Sequence, residues 1–221
     1  MRLSPTSIVC ASLIGALFIA HPIRTSHAQT PPLSDNATET WQMSADVVPL
    51  KHPGHVQTQA PKDSIEVVEF FSYTCPHCAT FSPRLRAWHA QQPDSVRLTY
   101  LPISWRAEMQ ASQRLYFTLQ QLKRLDLHEQ VFADYAANPQ QFLSHSAVLQ
   151  WALRKGFDKK TWQTAYNSAA VTQNVRSAQQ AFGRFELNAV PTLVVNGRYS
   201  LIPSAQVLDT LTQLVAHERT Q

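Results

Sequence analysis

One tetrapeptide constrains this chain more than any other feature: Cys75-Pro76-His77-Cys78, which comes shortly after an apolar run that ends at Phe71. Cysteines at positions i and i+3 can meet in the first turn of a helix, where they can form or open a small disulfide ring. Unpaired backbone N–H groups and the positive end of the helix dipole lie at that turn and favour a thiolate over a thiol. The spacing therefore indicates a redox-active pair rather than a structural cross-link.

The third cysteine, Cys10, lies in a segment with the composition of a signal peptide. Arg2 supplies a positive charge, residues 8–20 are largely apolar, and Ser26-His27-Ala28 is typical of a cleavage site. The apolar stretch is too short to span a bilayer comfortably. We therefore predict a signal peptide over residues 1–28 and an exported mature protein.

The two cysteines that remain after cleavage are expected to be catalytic. Removing 28 of the 221 residues leaves 193, which is enough to bury a core without disulfide cross-links. A disulfide that spans two residues would constrain the unfolded chain little. A zinc site needs two further ligands that the spacing does not offer, and haem attachment needs a histidine where Ala79 stands. We expect no bound metal.

The charge balance argues against a nucleic-acid partner. Arg2 and Arg24 belong to the predicted signal peptide, so the mature chain keeps 17 of the 19 basic residues against 15 acidic ones, a net charge of +2. No basic cluster with interleaved aromatic residues occurs along the sequence. The sequence therefore lacks the pattern that a nucleic-acid-binding surface produces.

The predicted elements place a run of helices inside a sheet. Residues 29–45 are polar and contain Pro31-Pro32, which indicates a flexible mature N-terminus. Runs of β-branched and aromatic residues predict strands at 65–71, 96–103 and 192–195, and Asn196-Gly197 predicts a hairpin turn into a strand over 198–201. Helical periodicity fills about 85 residues between the second and third strands. Ser204 is expected to cap a last helix.

Because the first and last parts of this order complete one sheet, we predict two regions in the mature chain. Residues 46–104 and 186–217 would form a sheet-based domain. Residues 105–185 would form a helical insertion that includes the helix returning to the sheet. We interpret the apolar stripes of that insertion as ordinary core.

Several strings resemble the DsbA family of periplasmic thiol:disulfide oxidoreductases. They are Val68-Glu69-Phe70-Phe71-Ser72, Cys75-Pro76-His77-Cys78, and Val190-Pro191-Thr192 leading into Val195-Asn196-Gly197-Arg198-Tyr199. The resemblance covers roughly residues 65–215. It implies an α/β protein with a thioredoxin fold and an inserted all-helical domain.

The resemblance also implies roles for the tetrapeptide. Cys75 would be the exposed nucleophile, and Cys78 the buried thiol that resolves a mixed disulfide. The expected positions agree, because Cys75 lies at the helix end and Cys78 one turn inside. Pro76 is tolerated in the first turn of a helix, and His77 can donate a hydrogen bond or a positive charge towards the Cys75 thiolate.

Three residues outside the tetrapeptide carry further implied roles. Pro191 resembles the family's cis-proline, which faces the disulfide and exposes adjacent backbone to an extended substrate. Val190, just before it, resembles the oxidases of the family rather than the isomerases. Glu69 resembles the buried acid beneath the active site, a candidate proton relay. The lysine that often accompanies that acid is replaced near Tyr100.

From the resemblance we expect a periplasmic monomer that oxidises unfolded exported proteins with free thiols through a mixed disulfide. A DsbB-type membrane oxidase would restore its disulfide, and no soluble organic cofactor would be needed. Two alternatives stay open: a reductase or isomerase on the same fold, and a chaperone or binding module without net redox activity. A metal-binding role for Cys75, His77 and Cys78 is a third.

Overall fold

The structure is a computed structural model, and it describes residues 43–54, 56, 61 and 63–221. The predicted signal peptide, residues 1–28, and most of the predicted flexible N-terminus, residues 29–45, lie outside the described residues. Within the described part, no helix is both long and apolar enough to cross a membrane.

A five-stranded sheet forms the centre of the described chain. Its strands are β1 (Val47–Pro49), β2 (Ile65–Phe71), β3 (Val96–Pro102), β4 (Thr192–Val195) and β5 (Tyr199–Leu201), in the spatial order β1-β5-β4-β2-β3. β2 and β3 are parallel, and every other neighbouring pair is antiparallel. All seven residues of β2 are buried, as its nearly continuous apolar sequence predicts for an inner strand.

Helices surround the sheet, and most of them lie between β3 and β4, as the sequence predicts. The α-helices are α1 (Pro76–His89), α2 (Gln110–Gln121), α3 (His128–Ala137), α4 (His145–Arg154), α5 (Lys159–Tyr166), α6 (Ala169–Arg184) and α7 (Val207–Glu218). α5 begins after Asp158, whose carboxylate accepts a hydrogen bond from the Thr161 N–H at 2.8 Å. Gly156, just beyond α4, has a φ of +85°, the left-handed conformation that ends many helices.

The apolar side chains of β2 as far as Phe70 alternate between two buried clusters, one on each face of the sheet. Val67 packs with residues of α1 and α7, including Leu85. Val68 and Phe70 pack on the other face, against the inserted helices. Cys78 of α1 belongs to this second cluster. The first turn of α1 therefore lies where the helical insertion meets the sheet.

Two features differ from the sequence prediction. The sequence does not predict β1, because three residues of which only Val47 is buried leave too short a pattern. The predicted cap of the last helix is wrong: α7 begins at Val207, and the Ser204 hydroxyl instead donates to the Asp46 carboxylate at 3.3 Å. Ser204 thereby joins the loop before α7 to the segment before β1.

Candidate active site

The tetrapeptide forms the start of α1, with the two thiols in different surroundings. Cys75 is the N-cap residue, and its Sγ accepts a hydrogen bond from the Cys78 N–H at 3.3 Å. Pro76 follows at the first helical position, where a missing N–H costs nothing. Cys75 is partly buried and Cys78 completely so, and both are free thiols. A reagent from solution can therefore reach Cys75 and not Cys78.

The same geometry separates the acidities of the two thiols. The hydrogen bond with the Cys78 side chain is the largest of several effects that lower the pKa of Cys75 to about 6. The backbone N–H groups of Cys78 and His77 and the charge of the His77 side chain act in the same direction. Burial raises the pKa of Cys78 far above its usual range. At neutral pH Cys75 is therefore mostly a thiolate while Cys78 keeps its proton.

The Val190–Pro191 peptide bond is cis, as the resemblance implies. β4 begins directly after Pro191 and runs antiparallel to β2, so this turn lies at the sheet edge where β2 leads into Cys75. The Cys75 Sγ lies 3.5 Å from the Val190 carbonyl oxygen. Predicted site residues from two distant parts of the chain thus come together at one edge.

Glu69 is completely buried, also as the resemblance implies, and neither of its carboxylate oxygens makes a hydrogen bond within the described part. Strand register sets Tyr100 opposite it, so no cation occupies the facing position on β3. Burial raises the pKa of Glu69 to about 8; the Ser82 hydroxyl opposes this rise and the nearby Cys75 charge assists it. The carboxyl is therefore mostly protonated at neutral pH. In turn, its charge contributes to the raised pKa of Cys78.

A buried histidine that the sequence did not single out contacts Ser82, which lies one turn after Cys78 on α1. His128, at the start of α3, has its Nδ1 2.8 Å from the Tyr73 hydroxyl and its Nε2 3.2 Å from the Ser82 hydroxyl. Burial lowers its pKa to about 3, so the imidazole is neutral. The ring centroids of five aromatic residues lie within 5.6 Å of its own, namely Phe71, Tyr73, Tyr100, Tyr116 and Phe132.

Ser82 could have been found from the sequence, because it follows Cys78 by four residues and shares its helix face. His128 could not, because the inserted helices bring it to the site and no local pattern marks it. As for metals, no three His, Cys, Asp or Glu side chains among the described residues come together to hold an ion.

A pair of thiols in which one is an anion at neutral pH and the other stays protonated is suited to thiol–disulfide exchange. A helix that begins at the reactive cysteine, on a mixed sheet with a cis-proline at the same edge, places this chemistry on a thioredoxin fold. The molecule is accordingly a thiol:disulfide oxidoreductase of the thioredoxin class.

Comparison with known proteins gives the family. The family model for the DSBA-like thioredoxin domain matches residues 66–216. The thiol:disulfide interchange protein DsbA of Bordetella pertussis is 33% identical over 174 residues, which cover 75% of this chain and 83% of that protein. The chain belongs to the DsbA family.

Solved structures agree with this assignment. The crystal structure of DsbA from Xylella fastidiosa matches with a TM-score of 0.72 at 27% identity, covering 80% of this chain and 96% of that one. That of Pseudomonas aeruginosa DsbA matches with a TM-score of 0.73 at 26% identity, covering 83% and 97%. The predicted α/β thioredoxin fold with an inserted helical domain is confirmed.

Proposed function

We propose that this chain is a periplasmic dithiol oxidase that donates the Cys75–Cys78 disulfide to exported proteins while they fold. The observation that carries the proposal is the contrast between the two thiols: Cys75 has a pKa of about 6 and is accessible, whereas Cys78 is buried and has a raised pKa. A low thiol pKa stabilises the reduced form of the pair, and so makes its disulfide a stronger oxidant.

In the reaction, a substrate thiolate attacks the Sγ of Cys75 in the disulfide form. The new bond joins substrate sulfur to Cys75, the Cys75–Cys78 bond breaks, and Cys78 takes the electron pair and then a proton. A second substrate thiolate attacks the first substrate sulfur and expels Cys75 as a thiolate. The substrate has then lost two electrons to the pair. In this second step Cys75 is a good leaving group because its thiol has the lower pKa of the two.

Glu69 is proposed to handle the proton that Cys78 takes up and later gives back. Its carboxyl is protonated at neutral pH, with a pKa of about 8, and it interacts electrostatically with both thiols. A protonated acid of this kind can supply a proton to the departing Cys78, which leaves Glu69 as a carboxylate until it takes up a proton again. The lysine expected in the family is missing, so the residues around Glu69 offer no cation on β3 to hold it ionised.

Val190 and Pro191 are proposed to bind the substrate backbone. The Val190 carbonyl lies 3.5 Å from the Cys75 sulfur, at the edge where β4 begins. An extended peptide that pairs with this segment would bring its cysteine to Cys75. His77, exposed and one residue beyond the helix start, is proposed to stabilise the Cys75 thiolate with its charge.

The remaining expectations belong to the same proposal. Reduced protein would be returned to the disulfide form by a DsbB-type membrane oxidase, with no soluble organic cofactor. The chain would act as a monomer, with a sheet-based domain over residues 46–104 and 186–217 and a helical insertion over 105–185. Residues 1–28 would direct export and be removed.

The reduction potential of the Cys75–Cys78 pair, equilibrated against glutathione in the mature protein, tests the proposal. The reduction potential of an oxidase should lie well above that of thioredoxin, which is about −270 mV. The reduced form of an oxidase should also unfold at a higher urea concentration than its oxidised form at pH 7. A potential near or below that of thioredoxin would point to a reductase. Replacing both cysteines by serine should abolish oxidation of a dithiol peptide. If the full chain oxidises no dithiol peptide but still suppresses the aggregation of unfolded proteins, the result would indicate the binding-module alternative.

A further inference from the structure

A cavity outside the redox site lies between α2 and α6, the two inserted helices that pack along each other. It has a volume of about 730 Å³, within the range of ligand-binding pockets. Three arginines line it: Arg106 before α2, Arg114 within α2 and Arg176 within α6. No acidic side chain is among its lining residues in the described part of the chain.

The three arginines differ in how firmly they are held. Arg114 is fixed, because its Nε donates to the Tyr166 carbonyl oxygen at 2.6 Å and its Nη2 to the Thr172 hydroxyl at 2.7 Å. Arg106 and Arg176 are exposed, and neither side chain makes a hydrogen bond or ion pair with another described residue. The cavity therefore concentrates positive charge that the rest of the described protein does not neutralise.

An exposed tryptophan stands at the same cavity. Trp105 remains 48% exposed, although its ring packs edge-on against Phe182 with centroids 5.8 Å apart. Its loop is fixed by the neighbouring Ser104, whose carbonyl accepts from Gln179 Nε2 at 2.9 Å and whose hydroxyl donates to Gln113 Oε1 at 2.9 Å. An apolar surface is thus held open to solvent beside the arginines, where a ligand side chain could cover it.

The cavity begins at the edge of the sheet that carries the redox site. β3 runs parallel to β2, and Pro102 at its end pairs with Phe71 at the end of β2. The chain continues from Pro102 to Trp105 and Arg106, and from Phe71 to Cys75. The redox site and this cavity thus follow the same ends of two neighbouring strands, β2 and β3.

We propose that the cavity binds an acidic segment of the reduced protein substrate, with carboxylates at Arg106 and Arg176 and an apolar side chain against Trp105. Charge complementarity and the exposed ring together favour a peptide over a small anion, which would leave Trp105 uncovered. The inference rests on the proposed function, since it names a class of substrate for the same reaction. Acidic substrates would be captured faster and oxidised more efficiently than neutral ones of equal length.

Binding can be measured apart from redox chemistry. The probe is a dye-labelled, cysteine-free peptide with three glutamates and one phenylalanine, added to oxidised mature protein at low ionic strength and followed by fluorescence anisotropy. The same peptide with glutamines should bind at least fivefold more weakly. The double variant Arg106→Gln/Arg176→Gln should weaken binding of the acidic peptide about five- to tenfold, and added salt should remove the difference.

A matched control removes the same charge elsewhere on the insertion. Lys159 and Lys160 are exposed at the start of α5 and line a separate hollow. The variant Lys159→Gln/Lys160→Gln should bind the acidic peptide as the unmodified protein does. An equal loss in both double variants would mean that net charge alone attracts the peptide, and would overturn the proposal. The proposal would also be overturned if the protein binds inorganic phosphate or phosphatidylglycerol vesicles, the arginine changes weaken that binding, and the peptide does not bind.

Oxidation of two dithiol peptides then separates this inference from the proposed function. The peptides carry the same cysteines and either glutamates or glutamines in the flanking segment. We expect kcat/KM to be five- to tenfold higher for the acidic peptide, and this advantage to disappear in Arg106→Gln/Arg176→Gln. Equal rates for both peptides would overturn the docking proposal while leaving the oxidase function intact. Oxidation of neither peptide would contradict the function, whatever the anisotropy shows.

Discussion

Tyr100 lies directly opposite Glu69 in the parallel pairing of β3 with β2. A buried acid beneath a redox site thus faces a neutral aromatic side chain, and its charge has no counterion on the neighbouring strand. Neither the Glu69 carboxylate oxygens nor the Tyr100 hydroxyl makes a hydrogen bond of normal geometry within the described part, although the nearby Ser82 hydroxyl lowers the pKa of both groups. The consequence is a carboxyl with a pKa of about 8, which keeps its proton at neutral pH.

Introducing the missing cation should reverse this state. In Tyr100→Lys, the ammonium would lie opposite Glu69 and favour its carboxylate, so the Glu69 pKa should fall well below the present value of about 8. Carbon-13 NMR titration of the glutamate carboxyls measures this, with Glu69→Gln providing the assignment of the signal.

The control for that change is Tyr100→Phe, which keeps the ring and removes only the unpartnered hydroxyl. The Glu69 titration should stay where it is, and the protein should be equally stable or up to about 1 kcal/mol more stable, because a buried unsatisfied group is lost. A Glu69 titration that does not move in Tyr100→Lys would contradict the proposed lack of a counterion.

The titration of Glu69 should contribute to the pH dependence of the free energy of unfolding. Its pKa is raised from 4.5 to about 8, so the stability that the protonated form contributes is complete below pH 4.5 and is lost as pH rises towards 8. Glu69→Gln should therefore flatten the fall in stability over this window, by an amount on the order of a few kcal/mol. Urea unfolding of the oxidised protein at a series of pH values measures it.

A second buried acid on the same strand supplies the comparison. Burial raises the pKa of Glu66 to about 7, so Glu66→Gln should flatten the curve over a narrower window that ends near pH 7. The two variants should differ between pH 7 and 8, where only Glu69 is still titrating in the folded protein. Identical curves for both variants would show that Glu69 titrates at a lower pH than its burial implies.

Residues close in sequence were the predictable part of the site. Cys75, His77 and Cys78 fall in one helical turn, so spacing alone indicates their chemistry. The place of Pro191, over a hundred residues away, came from a family resemblance, because no local rule makes a proline before a strand cis. Strand lengths and the Asn196-Gly197 turn followed from residue patterns, whereas β1 was too short to leave one.

Other contacts of the site depend on how distant elements pack. Tyr100 lies opposite Glu69 because of the register of two parallel strands. A helix connects these strands, so no hairpin turn fixes their register. His128 comes from an inserted helix whose sequence reads as an ordinary amphipathic segment. The Arg106 and Arg176 pair is separated by 70 positions, and only the packing of α2 against α6 brings their side chains to one cavity.

The acidity of Cys75 should depend more on Cys78 than on His77. The hydrogen bond with the Cys78 side chain is the largest effect that lowers the Cys75 pKa, and the charge of His77 is the smallest of those acting on it. Cys78→Ala and His77→Ala should both raise the pKa from about 6, with the larger rise in Cys78→Ala. Ultraviolet absorbance of the thiolate against pH gives both values. A larger rise in His77→Ala would mean that the imidazole, and not the neighbouring thiol, controls the nucleophile.

His128 should be the main source of acid sensitivity beneath the site. Its pKa is lowered from 6.5 to about 3, so the stability of the neutral buried form is present above pH 6.5 and is lost as pH falls towards 3. His128→Phe removes this titration and should give a flatter stability curve at acidic pH. It also leaves the Tyr73 and Ser82 hydroxyls without their partner, at a cost of about 2–4 kcal/mol at neutral pH.

The milder variant Tyr73→Phe removes one of the two hydrogen bonds and keeps the imidazole. It should cost about 1 kcal/mol and retain the acid sensitivity, since the buried histidine is still there. His145→Phe is the matched control, because His145 also bonds a tyrosine hydroxyl, that of Tyr166, but is exposed. His145→Phe should leave the loss of stability at acidic pH unchanged. If His128→Phe keeps the full acid sensitivity, the neutral buried imidazole is not its cause.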